Sequence, residues 1–161
     1  MSGGQRLSGY EIHSATSDDL TRIRQLVREY VEWIALDLAF QEIDAEIDGL
    51  PGDYAPPRGA LLVACKDDGP VAMIGLRPLD ETICEMKRLY VQPSARGQGL
   101  ARALILRLLD EARAIGYQEI RLDTLPMMGD AQAHYAALGF TDIAAYYDTP
   151  IAGTRFMALR L

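Results

Sequence analysis

Ile83-Cys84-Glu85-Met86-Lys87-Arg88-Leu89-Tyr90-Val91 runs straight into Gln92-Pro93-Ser94-Ala95-Arg96-Gly97-Gln98-Gly99-Leu100-Ala101. The first run reads as a strand and the second as a Gly-rich turn. From Gly99 to about Ile115 the pattern is that of a helix. Strand, turn and helix therefore follow one another without a spacer. Gly97 and Gly99 let the backbone approach a ligand with no side chain in the way. The free N–H groups at the helix start would point at that ligand, and the helix dipole favours an anion there. Between Lys87 and Leu109 stand five basic residues (Lys87, Arg88, Arg96, Arg102 and Arg107) and no acidic one, in a chain of net charge −7. The stretch reads as a pyrophosphate site.

Two common pyrophosphate loops do not fit. No Gly-Lys pair occurs, so there is no Walker A loop. A dinucleotide fingerprint needs a small residue three places after its second Gly, and that place is Arg102. The pattern present is Arg-x-x-Gly-x-Ala, at Arg96, Gly99 and Ala101, with Val91-x-Pro93 just ahead. It resembles the acetyl-CoA loop of the GNAT superfamily of N-acetyltransferases. A second stretch, Ala131-Gln132-Ala133-His134-Tyr135-Ala136-Ala137-Leu138-Gly139-Phe140, resembles that superfamily's Ala-x-x-x-Tyr-x-x-x-Gly-Phe segment. Many relatives carry Asn seven residues before this tyrosine, and here the place is Met128.

The surrounding chain is consistent with this resemblance. A length of 161 residues predicts one domain over 1–161. Apolar content of 49% with 24% charge reads as soluble and globular. No apolar run reaches membrane-span length and no signal peptide is visible, so a cytoplasmic location is expected. Cys65 and Cys84 read as reduced, buried thiols. With His13 and His134 they match no metal spacing, so no metal is expected. The acidic balance argues against nucleic-acid binding.

Tyr10 to His13 is a strand candidate, and Thr16-Ser17-Asp18-Asp19 is suited to start a helix. Leu20, Ile23, Val27, Tyr30, Val31 and Ile34 recur at helical spacing, giving a helix from Asp18 to about Leu36. A second helix covers about Phe40 to Gly49, followed by a rigid, exposed loop from Pro51 to Gly59. Ala60 to Cys65 and Val71 to Leu76 form a hairpin leading towards Ile83. After the motif helix, Glu119 to Asp123 is a strand that a right-handed crossover sets parallel to Ile83–Val91. Asp130 to Leu138 is a helix, and Phe140 to Ala144 and Thr154 to Leu161 are final strands. The fold class is α/β (α+β): a mixed, mostly antiparallel twisted sheet flanked by helices, with a central β-α-β unit for acetyl-CoA.

The resemblance implies acyl transfer from acetyl-CoA to a small primary amine in a ternary complex. It also implies that a homodimer is common. Amides from Arg96, Gly97, Gln98, Gly99, Leu100 and Ala101 would hold the pyrophosphate. The edge Leu89-Tyr90-Val91 would pair with the pantetheine arm, and the Leu89 amide would polarise the thioester carbonyl. Tyr135 is the candidate general acid, since a neutral phenol can protonate a departing thiolate. Glu85 is the candidate base. Alternation sets Glu85, Lys87 and Leu89 on one face of the strand and Cys84, Met86 and Arg88 on the other, unless a bulge intervenes. An ion pair between Glu85 and Lys87 is the competing expectation. Trp33, Tyr54, Arg58 and Tyr146 are candidates for the acceptor pocket, as are Tyr30 and Tyr147; packing is the better reading for each taken singly, some of the set are expected to be contacts, and an exposed, solvated side chain accounts for Arg58 equally well. A CoA-binding sensor without transfer activity, and a nucleotide-binding α/β domain, are the alternative functions.

Overall fold

The computed structural model describes residues 5–34 and 43–161. Among them run β1 (Gln5–Leu7), β2 (Tyr10–Ser14), α1 (Leu20–Ile34), α2 (Ile43–Gly49), β3 (Ala60–Lys66), β4 (Gly69–Pro78) and β5 (Ile83–Val91). Then come α3 (Leu100–Ile115), β6 (Glu119–Thr124), α4 (Gly129–Ala137), β7 (Thr141–Ile143) and β8 (Arg155–Arg160). The far end of the first expected helix, at Leu36, and the start of the second, Phe40 to Glu42, lie outside the described residues. No helix among the described residues is long and apolar enough to cross a membrane.

The eight strands form one sheet in the order β1-β2-β3-β4-β5-β6-β8-β7. Neighbours are antiparallel except β5 and β6, which are parallel. This matches the mixed, mostly antiparallel sheet expected from the sequence. One strand, β1, was not expected. Leu7 pairs with Tyr10 across Ser8-Gly9, whose φ angles are 50° and 85°. That is the two-residue turn whose twist suits a hairpin, and the Ser-Gly pair is its trace in the sequence.

Helices cover both faces. Leu104, Ile105 and Leu108 of α3 are wholly buried against one face, with Ile12, Leu62, Ile74 and Leu76. Ile23, Leu26, Val27, Tyr30 and Ile34 of α1 bury against the other, with Val63, Met73 and Tyr90. The loop after α2 is less exposed than expected, because Leu50 and Tyr54 insert into this second core. Gly75 makes room for the Tyr54 ring, since a Cβ there would lie 2.8 Å from it.

β5 carries the feature that shapes the site. Lys87 faces Gly75 and Tyr90 faces Met73, so Arg88 and Leu89 together stand opposite Ile74 alone. This is a bulge, and Arg88 takes a left-handed φ of 61°. The simple alternation expected for the strand is thereby broken. Arg88 joins Glu85 and Lys87 on the α1 face, while Leu89 turns to the α3 face with Cys84 and Met86. Left-handed backbone in a bulky residue costs roughly 1–3 kcal/mol. A clamp offsets it: Arg88 Nε donates to Glu46 Oε2 at 2.7 Å and Nη2 to Oε1 at 3.1 Å. The Tyr54 hydroxyl donates to Glu46 Oε1 at 3.2 Å. Burial alone would raise the Glu46 carboxyl, but Arg88 and Tyr54 outweigh it and hold it below its ordinary value of 4.5.

The clamp gives a stability prediction. Glu46→Gln should cost about 1.5–3 kcal/mol at neutral pH, the worth of a buried charge-assisted bond. A lowered folded pKa contributes stability that is full above pH 4.5 and lost as pH falls through the lowered value. Urea denaturation at pH 7 and at pH 3 should therefore show the gap between wild type and variant shrinking in acid. A gap that is absent at pH 7, or widens in acid, contradicts the clamp.

Candidate active site

β5 and β6 pair over only three positions, Ile83 with Glu119, Cys84 with Ile120 and Glu85 with Arg121. Beyond them the strands part. Among the described residues, the edge of β5 from Met86 to Val91 has no strand partner on that side, and a cleft of about 380 Å³ opens there. Its walls come from β5, from the loop into α3, from Asp123 and Leu125, from α4, and from Tyr30 and Trp33 of α1.

The mouth of α3 supplies donors. Gly97 and Gly99 have φ of 78° and 79°, a left-handed conformation that glycine adopts without a Cβ penalty. Gly99 is the N-cap and makes no side-chain cap bond. Ala95 and Arg96 donate their amides to Gln92 and Pro93 carbonyls. Among the described residues, no hydrogen bond is donated by the amides of Gly97, Gln98, Gly99, Leu100 or Ala101. The Arg96 amide, expected to serve the anion, is thus already engaged, and five amides remain. No acidic residue sits in the first turn of α3.

Buried Ala95 and Leu100 anchor the loop from below, and Gln98 Nε2 ties it to the Tyr10 hydroxyl at 3.1 Å. The Gln98 side chain is turned away from the cleft; the other expected cofactor-binding residues, from Leu89 to Ala101, all line it. Arg96 Nε donates to the Val91 carbonyl at 2.9 Å, with its guanidinium 5.1 Å from the Trp33 ring centre and 5.8 Å from that of Tyr90.

Tyr135 of α4 is buried in the cleft wall with its ring 5.6 Å from Phe140. Its hydroxyl has no hydrogen-bond partner among the described residues. It is also not among the polar atoms shut off from solvent. Burial pushes the phenol up, with Tyr30 and Asp123 adding to the effect, so it carries its proton throughout the neutral range. His134 also reaches the cleft wall. Met128 lines it too, as the N-cap of α4 with no side-chain cap bond.

Several sequence expectations are corrected by the geometry. Glu85 does not line the cleft. It is 1% exposed, takes Arg77 Nε at 2.9 Å on one oxygen and the Tyr146 hydroxyl on the other. Nor does it pair with Lys87. Lys87 Nζ reaches Asp123 Oδ1 at 3.1 Å across the parted strands, and the Tyr147 hydroxyl donates to Asp123 Oδ2. Burial alone would raise Asp123, but Lys87 and Tyr147 hold it below its ordinary range.

Of the acceptor-pocket residues, Trp33 lines the cleft and is 45% exposed. Tyr54, Arg58 and Tyr146 do not reach it. Tyr54 packs in the core, Tyr146 caps Glu85, and Arg58 Nη2 grips the carbonyls of Asp80 and Glu81. Lys87, Arg88 and Asp123 were missed as cleft residues. Their trace is a charge inside an otherwise apolar strand, which is costly unless a partner waits across the sheet.

Comparison with known proteins agrees with this geometry. The sequence profile of the Acetyltransferase (GNAT) family matches residues 20–140. An uncharacterized N-acetyltransferase of Schizosaccharomyces pombe is 34% identical over 145 residues, covering 89% of each chain. One of Escherichia coli is 33% identical, covering 75% of this chain and 73% of its own. An acetyltransferase structure from Streptococcus agalactiae superposes with a TM-score of 0.80 at 25% identity, covering 96% of this chain and 99% of that one. One from Salmonella typhimurium, with its cofactor acetyl-CoA, does so at 0.69 and 22% identity, covering 95% and 94%, and shares the fold. The profile match, the relatives and the β-α-β cleft lead to one assignment: the chain belongs to the GNAT family, the acetyl-CoA-dependent acetyltransferases.

Proposed function

We propose that the protein moves an acetyl group from acetyl-CoA to a small primary amine by direct transfer in a ternary complex. One observation carries this reading. Among the described residues, the unengaged amides of Gly97, Gly99, Leu100 and Ala101, an unpaired strand edge and an unpartnered tyrosine hydroxyl border the same cleft. The amides from Gly97 to Ala101 suit a diphosphate, reinforced by the helix dipole and by Arg96. The free edge at Leu89-Tyr90-Val91 suits the amides of the pantetheine arm, which would add as a further strand. That alignment brings the thioester towards Tyr135 and the Lys87–Asp123 pair.

In the transfer, the amine nitrogen attacks the thioester carbonyl carbon. A C–N bond forms, the C–S bond breaks, and the electron pair leaves with sulfur. The Leu89 amide is positioned on the free edge to donate to the carbonyl oxygen as charge grows there. Tyr135 gives its proton to the departing thiolate. The acceptor amine must arrive neutral and shed a proton as the new bond forms. Asp123 lines the cleft, as does Asp130, and is the carboxylate we assign to receive that proton through water. Glu85 sits behind the wall and could act only if the Tyr146 contact opened.

Thiol release from acetyl-CoA, followed against a panel of amines, tests the reading. Turnover on at least one amine is expected. Tight acetyl-CoA binding with no turnover on any would favour a CoA-binding module instead. On an accepted amine, Tyr135→Phe should lower kcat by about 100-fold or more, the range of general acid catalysis, and leave CoA affinity unchanged. Unchanged kcat would remove Tyr135 from the mechanism. In the same assay Asp123→Asn should lower kcat/KM more than Glu85→Gln does. The reverse order would restore Glu85 as the base.

A further inference from the structure

At the end of α1 opposite the one that carries Tyr30 and Trp33 to the cleft, three metal-ligating groups of different softness converge. His13 comes from β2, Cys65 from β3 and Asp19 from the turn that opens α1. The β2–β3 register sets Glu11 opposite Cys65 and His13 opposite Val63, which leaves His13 and Cys65 as diagonal neighbours on the α1 face. One ligand atom from each of His13, Cys65 and Asp19 lies within 4.8 Å of the other two. The Cys65 Sγ to His13 Nε2 distance is 3.4 Å. A tetrahedral centre with Zn–S of about 2.3 Å and Zn–N of about 2.0 Å separates its sulfur and nitrogen by about 3.5 Å.

The surroundings suit a cation rather than a bare pair. His13 Nδ1 lies 2.8 Å from the Ser14 carbonyl, which can only accept. That contact puts the ring proton on Nδ1 and leaves the Nε2 lone pair facing Cys65, the arrangement by which a backbone oxygen orients a ligating imidazole. Asp19 is held in place by one oxygen, Oδ2, which takes the Thr16 amide at 2.9 Å and hydroxyl at 3.2 Å. Its other oxygen has no partner among the described residues. All three residues are partly exposed, so an ion has a path in. Glu11 stands opposite Cys65 and adds negative field, while Lys66 is drawn off over the Tyr10 ring at 5.1 Å.

We propose that His13, Cys65 and Asp19 form a three-ligand site for a thiophilic divalent cation of the Zn²⁺ class, with water completing the tetrahedron. Binding breaks the Cys65 S–H bond, the proton leaves to solvent, and the thiolate pair goes to the metal. Thiolate, carboxylate and neutral imidazole then carry two negative charges against two positive. The ion would fasten the β2–β3 edge to the start of α1, the helix that carries Tyr30 and Trp33 to the cleft. Without metal, burial and then Asp19 and Glu11 push the thiol up to about 11, so it stays protonated and unreactive at neutral pH.

The test uses the full chain, freed of metal with a chelator and titrated with Zn²⁺ or Co²⁺ at pH 7. Calorimetry should show one Zn²⁺ per chain with Kd of about 1 μM or tighter. The heat should vary with buffer ionisation, because a proton is released. Co²⁺ should give an intense thiolate-to-cobalt absorption, and Zn²⁺ should raise the melting temperature. Cys65→Ser and His13→Gln should abolish these signals with the circular dichroism spectrum unchanged, while Cys84→Ser should keep them. Absence of the cobalt–thiolate band in the wild-type chain, or its survival in Cys65→Ser, would overturn the site and leave a thiol–imidazole hydrogen bond.

Discussion

The parting of β5 from β6 is the constraint on which the rest depends. Three paired positions hold the strands together, and past Glu85 and Arg121 the main chain of β5 has lost its neighbour. Backbone donors and acceptors in a sheet interior are costly to leave unmatched. Here the loss is tolerated because the gap is open to solvent and sized for an extended ligand. The α3 mouth adds a second set of unmatched donors at the end of the same strand. A fold that satisfied both sets internally would have no cleft.

Polar side chains keep that gap open. Three carboxylates on the α1 face of the sheet each hold one cation and one tyrosine hydroxyl: Glu46 with Arg88 and Tyr54, Glu85 with Arg77 and Tyr146, Asp123 with Lys87 and Tyr147. Such buried pairs contribute little over well-packed apolar side chains, since desolvation consumes most of the attraction. Their effect is geometric. The first holds the bulge at Arg88, and the third spans the parted strands without closing them. The second sits just where the β5–β6 pairing ends. The loop carrying Tyr146 and Tyr147 is thereby joined to both β5 and β6.

Much of this was legible in the chain itself. Gly97 and Gly99, read from the sequence as residues that let the backbone approach a ligand, stand in the loop before α3 with left-handed backbones. The helical spacing in α1 and α3, the β3–β4 hairpin and the parallel β6 followed from periodicity and the handedness of crossovers. The bulge did not, because nothing local in Arg88 encodes a positive φ; it arises from a partner on α2. Glu85 and Lys87 were open to misreading for a similar reason. Alternation placed them on one face correctly, yet their counter-ions lie on β4 and β6, which spacing along β5 cannot reveal. Cys65 and His13 are 52 residues apart. Only the β2–β3 register brings them together, so cysteine and histidine spacing gave no hint of their contact. Tyr54 and Tyr146 look alike as exposed aromatic candidates in the sequence, but carboxylates draw both hydroxyls away from the cleft.

The central claim is that the unmatched amides at the mouth of α3 grip the diphosphate of coenzyme A. Amide NMR spectra of the ¹⁵N-labelled chain, titrated with CoA, test it at single-residue level. The largest downfield displacements should fall on Gly97, Gln98, Gly99, Leu100 and Ala101, followed by Leu89 to Val91. Saturation with CoA that leaves these five amides unmoved, while signals elsewhere shift, would contradict the account.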